Sequence, residues 1–277
     1  MDSGKTVRTR KHGSNYPYLP LQNGYYLHAR TFSKYQGLFL RRDNSLFKYL
    51  EGVRFDADIH HVQRHSNRVV LSTGSGRISL ESTSDGLHIS SKQRVTAFID
   101  LDTRFIDDYD DKGRIYDVVH DDDHVNIDYT KYHSDDLRAV AYDASFSMRT
   151  TSWSEIGEWQ ATRHTYDERR DDSSNVWVYR AGRVDVSPDN PVTIHLPVKQ
   201  HVDDAQMQEF LYEEDNTTRV AAGYPWFYQA WSRDEIISLH PLMESKASLA
   251  KSILVRAART GQGAKSVEGS DLASADT

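Results

Sequence analysis

The chain has 277 residues and no cysteine, with 34 basic against 41 acidic side chains for a net charge of −7. That balance excludes a general polyanion binder, which needs a basic face. The missing thiols exclude disulfide staples, thiolate zinc sites and a cysteine nucleophile. With 38% hydrophobic and 11% aromatic residues the chain can bury a core, yet no apolar run approaches the ~18 residues of a membrane-spanning helix.

Residues 1–15 read as a polar, disordered arm. Lys5, Arg8, Arg10 and Lys11 make it basic, but no apolar stretch follows, so it is not a secretory signal. A soluble, cytoplasmic chain is the expectation. From Tyr16 to about residue 202 the rhythm is period two. Val95, Ala97, Ile99 and Leu101 alternate with Arg94, Thr96, Phe98 and Asp100. Val125, Ile127 and Tyr129 alternate likewise, as do Val192, Ile194, Leu196 and Val198. Such alternation puts one strand face on a core. Turn signals separate the runs at 72–76, 84–86, 110–113 and 187–191, each with glycine, proline or Asx residues. About a dozen strands joined by tight turns predict a mainly β fold, an antiparallel β-sandwich over residues ~16–200.

After residue 203 the pattern changes. Asp203–Tyr212 reads as a short helix with Ala205, Met207 and Phe210 as its apolar positions, and Glu213–Thr218 as a connector, so that 203–222 forms a linker. A dense aromatic patch, Gly223-Tyr-Pro-Trp-Phe-Tyr-Gln-Ala-Trp231, follows. Ser232 and Glu235 have the spacing of a capping box, which opens a helix through Ile236, Ile237, Leu239, Leu242 and Met243, with Pro241 expected to kink it. A second helix, about Ala247–Arg259, carries Leu249, Ile253, Leu254 and Ala257 on one stripe. A helical layer thus begins at 232 and the chain stops at Thr277, which predicts the N-terminal part of a longer enzyme.

Several constellations read more simply as structure. Asp107–Gly113 fails the calcium-loop pattern, because Lys112 and Val119 stand where oxygen ligands belong. A solvated hairpin turn is expected there, and at Asp121-Asp-Asp123. His61 and His65, four apart, lack the glutamate of a zinc-protease helix. No metal site or cofactor is expected. Trp153, Trp159 and Trp177 offer sugar-stacking faces for a glucan-binding β-module, although filling the sandwich core is the simpler role.

The segment Tyr224–Asp234 differs. Tyr224, Trp226, Phe227, Tyr228 and Trp231 stand immediately before Arg233-Asp234. Aromatic faces stack on sugar C–H faces, while an Arg–Asp pair grips neighbouring hydroxyls by donor and acceptor bonds. A hydrophobic plug with a structural ion pair is the plainer account.

Ala222-Gly-Tyr-Pro-Trp-Phe227 followed by Trp231-Ser-Arg-Asp-Glu-Ile-Ile-Ser-Leu239 resembles the entrance motif of glycogen-debranching enzymes of the amylo-α-1,6-glucosidase type. Ser270–Asp276 is similar to a later stretch in which an Asp-Ala pair opens another helix of the same barrel. Phe32–Leu38 and Tyr109–Tyr116 resemble the N-terminal β-domain of prokaryotic relatives less specifically. The resemblance implies a β-supersandwich followed by the first helices of a truncated (α/α)6 barrel from residue 223, and inverting hydrolysis of α-glucosidic bonds in glycogen, dextrin or maltooligosaccharide. It implies that Arg233 and Asp234 bind the nonreducing glucose, that Tyr224, Trp226 and Trp231 wall it, and that Asp276 is the general acid. Ser232 in place of glycine, the insertion Gln229-Ala230 and Thr277 depart from the pattern. Inversion needs a second carboxyl group, and none with a motif behind it follows Asp276, so the 277 residues alone are expected to be inactive. Glucoamylases carry a similar Trp-x-Arg-Asp motif, which keeps an exo-α-1,4-glucosidase as the alternative.

Overall fold

The computed structural model describes residues 18–21, 24–28, 33–42, 45–65, 67–164, 175–197, 211–214, 217–220, 235, 239, 242 and 246–260. The chain divides into two compact units, Met1–Asp204 and Ala205–Thr277.

The described part of the first unit holds 17 strands in three antiparallel sheets, more than the dozen expected. One sheet runs β1 (Tyr18–Leu21), β2 (Gly24–Leu27), β3 (Gly37–Arg42), β4 (Ser45–Leu50), β11 (Arg104–Phe105). A second runs β15 (Ser154–Arg163), β16 (Asn175–Val186), β10 (Val95–Leu101), β5 (Gly52–Phe55). The largest runs β12 (Arg114–Asp121), β13 (His124–Tyr132), β14 (Val140–Arg149), β17 (Val192–His195), β9 (Gly86–Ser91), β8 (Arg77–Thr83), β7 (Arg68–Thr73), β6 (Ile59–Arg64).

Alternation translates directly into packing. Val95, Ala97, Ile99 and Leu101 of β10, Val125, Ile127 and Tyr129 of β13, and Val192 and Ile194 of β17 all bury their side chains. They join one contiguous apolar cluster fed by all three sheets, with Leu19, Leu38 and Phe47 from the first, Val53 and Val184 from the second, and Leu71, Ile89 and Phe146 from the third. A shared core of this kind is what makes a layered β-architecture stable. Gly86, at φ +137°, closes the β8–β9 turn where a Cβ would meet the Ile194 carbonyl oxygen at 2.1 Å, so only glycine fits.

Two expectations change here, at 107–113 and at the tryptophans, and two hold. The Asp107–Gly113 stretch is not a solvated hairpin turn: it links β11 to β12 in different sheets, and Asp108 and Asp111 turn onto Tyr142, Arg104 and Arg114. Asp121–His124 does form the β12–β13 hairpin turn, with Asp122 at φ +50°. His61 sits in a strand and His65 just beyond it, so they share no helical face. Trp153 packs against the core, but Trp159 and Trp177 do not fill it.

In the second unit, the end of the expected 203–212 helix and the connector after it form a hairpin instead. Strand β18 (Leu211–Glu214) pairs with β19 (Thr217–Val220). Tyr212, Thr217, Thr218 and Val220 favour extended backbone over helix, and the intervening Asp215-Asn216 is a two-residue Asx turn sequence. Glu235, Leu239 and Leu242 are helical. Helix α1 (Ala247–Thr260) buries Ala250 and Ile253 against Val220 and Leu242. Its buried stripe is rotated from the expected one, leaving Leu254 exposed. No helix among the described residues is long and apolar enough to cross a membrane.

Candidate functional site

Strand pairing brings a set of charged side chains together beneath the surface of the first unit. Lys48 of β4 donates to Glu51 (2.8 Å) and Asp102 (3.2 Å). Arg104 of β11 and Arg114 of β12 donate to the same Asp102 oxygen at 2.6 and 2.8 Å, and both also reach Asp111. Gln36 and His164 donate to the other Glu51 oxygen, His164 Nε2 at 2.9 Å. Lys48, Arg104 and Arg114 thus balance Glu51, Asp102 and Asp111, three charges against three. Burial alone would raise the Asp102 carboxyl, but Arg104, Lys48 and Arg114 overcome it and hold that group well below the usual carboxylate range. Glu51 is lowered too, against burial, by Lys48 and His164. The Arg114 guanidinium, desolvated yet facing Asp102, is pushed further up and is permanently cationic.

Beside this network a cavity of about 610 Å³ opens between β5 and the neighbouring ends of β2, β15 and β16. Glu51 and Asp100 lie on its floor and Asp56 and Asp58 at its rim. Glu51 is not available there as a proton donor. Glu51 is held ionised as described, and Asp100 accepts from Arg180 (2.8 and 3.1 Å) and pairs with Arg54 (3.0 Å). The cavity thus presents hydrogen-bonding walls, with Phe55 as an aromatic element. Among the described residues no group of three or more histidines and carboxylates is placed to hold a metal ion.

The other face of the β15–β16 ribbon carries rings. Trp159 stands opposite Tyr179 and Ala161 opposite Trp177. Trp177 is 50% and Trp159 39% exposed. Tyr179 stacks on Tyr116 of β12 (4.9 Å, 13°) and meets Trp159 edge-on at 5.4 Å. The Arg114 guanidinium lies 4.9 Å from the Trp159 ring centre and donates to the Trp177 carbonyl at 2.9 Å.

Tyr224, Trp226, Trp231, Arg233, Asp234 and Asp276 lie outside the described residues. Their neighbour Glu235 is described and buried. Its carboxylate accepts from Arg219 Nε (3.0 Å), Arg256 Nη2 (2.7 Å) and the Val220 amide (3.2 Å); Ser232, its expected capping-box partner, lies outside the described residues. Glu235 thereby ties the residue after the Arg-Asp pair to both the hairpin and α1. The ionic network of the first unit went unread in the sequence. Its local trace is Asp102-x-Arg104, a spacing that places two opposite charges on one side of an extended segment.

A sequence model of the family described as amylo-alpha-1,6-glucosidase matches residues 195–263. No curated protein and no solved structure matches the chain. The matched stretch contains the aromatic segment, Arg233-Asp234, Glu235 and α1, so this part of the chain is related to a glycoside-hydrolase family of the glycogen-debranching kind.

Proposed function

We propose that the chain belongs to an inverting α-glucan hydrolase that removes glucose at α-1,6 branch points of glycogen-like polysaccharide in the cytoplasm. The carrying observation is the family match over 195–263, which encloses the Ala222–Leu239 motif. In this reading Arg233 and Asp234 grip adjacent hydroxyls of the nonreducing glucose, and Tyr224, Trp226 and Trp231 stack on its faces. Asp276 protonates the departing oxygen. An inverting pair holds its carboxyl groups about 6.5–9.5 Å apart with a water between, and only Asp276 comes with a motif behind it. The 277 residues by themselves therefore bind glucose units without cleaving them. The β-rich unit precedes the first helices of an (α/α)6 barrel in this scheme, and Glu235, clamped by Arg219 and Arg256, supports the start of the helix that bears the gripping pair.

Saturation-transfer NMR on the 277-residue chain with isomaltose and maltose tests the reading. Contacts to isomaltose that Arg233→Ala and Asp234→Asn abolish are expected, with no glucose released from a branched dextrin. Indifference of the contacts to both substitutions refutes the subsite, and glucose release refutes the inactivity. Stronger contacts to maltose would favour the glucoamylase-type alternative.

A further inference from the structure

We infer that the exposed ring face of β15–β16 is a second α-glucan binding surface, separate from the 233–234 subsite. The ligand class rests on the proposed function; the surface itself rests on geometry. Two indoles, Trp159 and Trp177, project outward from one side of the ribbon, and Ala161, directly opposite Trp177, leaves a low floor beside it. Exposed Asn175, two residues along the same face, supplies an amide that both donates and accepts. Flat aromatic faces beside a hydrogen-bonding amide match a sugar chain, whose C–H faces stack and whose hydroxyls need polar partners.

The rings are held from behind. Arg114, wholly buried and permanently charged, presses its guanidinium on one side of Trp159 and fixes the Trp177 backbone through its carbonyl. Tyr179, itself stacked on Tyr116, braces the Trp159 edge. A ligand therefore meets plates already in place, which lowers the ordering cost of binding.

The test is calorimetric titration of the 277-residue Arg233→Ala/Asp234→Ala variant, which silences the other subsite, with maltoheptaose and with cellohexaose. Saturable binding of maltoheptaose and none of cellohexaose is expected. Trp177→Ala and Trp159→Ala should each weaken it about tenfold. Ala161→Lys, which keeps both rings and projects from an exposed position, should do the same with an unchanged urea midpoint. Affinities within twofold of the parent for Trp177→Ala and Ala161→Lys overturn the proposal. So does absence of maltoheptaose binding, or equal binding of cellohexaose. Loss of the 233–234 subsite in the NMR experiment leaves this titration unaffected, so the two readings fail separately.

Discussion

Replacing Lys48 by methionine removes one of three cations from a largely buried set that holds the carboxylates of Glu51, Asp102 and the half-buried Asp111, and the consequence can be worked from the contacts. The ammonium lies 2.8 Å from Glu51 and 3.2 Å from Asp102, and its side chain is 2% exposed. Methionine fills similar volume, so the loss is electrostatic rather than a cavity. Buried Asp102 and half-buried Asp111 then face Arg104 and Arg114, and buried Glu51 keeps only Gln36 and His164. Breaking a buried ion pair from one side typically costs about 3–5 kcal/mol. For a unit of this size that predicts a melting temperature lower by roughly 6–20 °C and a urea midpoint lower by about 1–2 M, read by far-ultraviolet circular dichroism. Glu51→Gln alone leaves three cations against two carboxylates, whereas the double variant restores balance at two against two. The double variant should therefore be more stable than the summed single losses by about 1–3 kcal/mol. Single losses that add within about 0.5 kcal/mol, or a Lys48→Met loss below about 1 kcal/mol, would refute the idea that these charges depend on one another.

Two further outcomes follow from the same reasoning. Asp102 and Glu51 have folded-state pKa values below their unfolded ones, so their stabilisation is full above the unfolded carboxylate value near 4 and disappears as pH falls through the folded values. Urea midpoints should stay level from about pH 7 to 5 and then fall, with a shallower acid limb in Asp102→Asn; an identical limb in that variant contradicts the assignment. In the second unit, Arg256→Ala leaves the buried Glu235 carboxylate with Arg219 and one amide, a loss of about 1.5–3 kcal/mol. Amide exchange in α1 should then accelerate at least tenfold, and unchanged protection at Ala250 and Ile253 would show that the clamp is dispensable.

The strands were legible because their signal is local: Val125, Ile127 and Tyr129 announce an inward face by spacing alone, and all three are buried. Trp177 was legible in principle by the same rule. Val178 is buried, so period two sends the adjoining indole outward; weighing tryptophan by its hydrophobicity instead of its position put it in the core. The ionic network could not be read, because its local pairs are joined into one set only by distant segments, Lys48 reaching Asp102 and Arg114 the Trp177 carbonyl. Asp107–Gly113 looked solvated because it is almost wholly polar, although the arginines it turns toward, Arg104 and Arg114, flank it in sequence. Hairpin β18–β19 was missed because apolar residues of the preceding stretch also fit a helical spacing, while Thr217, Thr218 and Val220 lay in what read as a connector. Of the expected subsite, only the neighbour Glu235 is described, and its burial by two arginines was not encoded in the motif itself.

Strand β17 has a consequence for the order in which the molecule can assemble. The eight-stranded sheet consists of two blocks, β6–β9 and β12–β14, and Val192–His195 is the four-residue rung that joins them, bonded to β9 on one side and β14 on the other. On the ribosome, both blocks emerge well before that rung, and each must wait with one edge unpaired and open to wrong partners. Closure spans more than 100 residues of chain, from Gly86 to His195, which makes it a slow, late event. A nascent chain halted ahead of Val192 should bind chaperones that one halted past His195 releases.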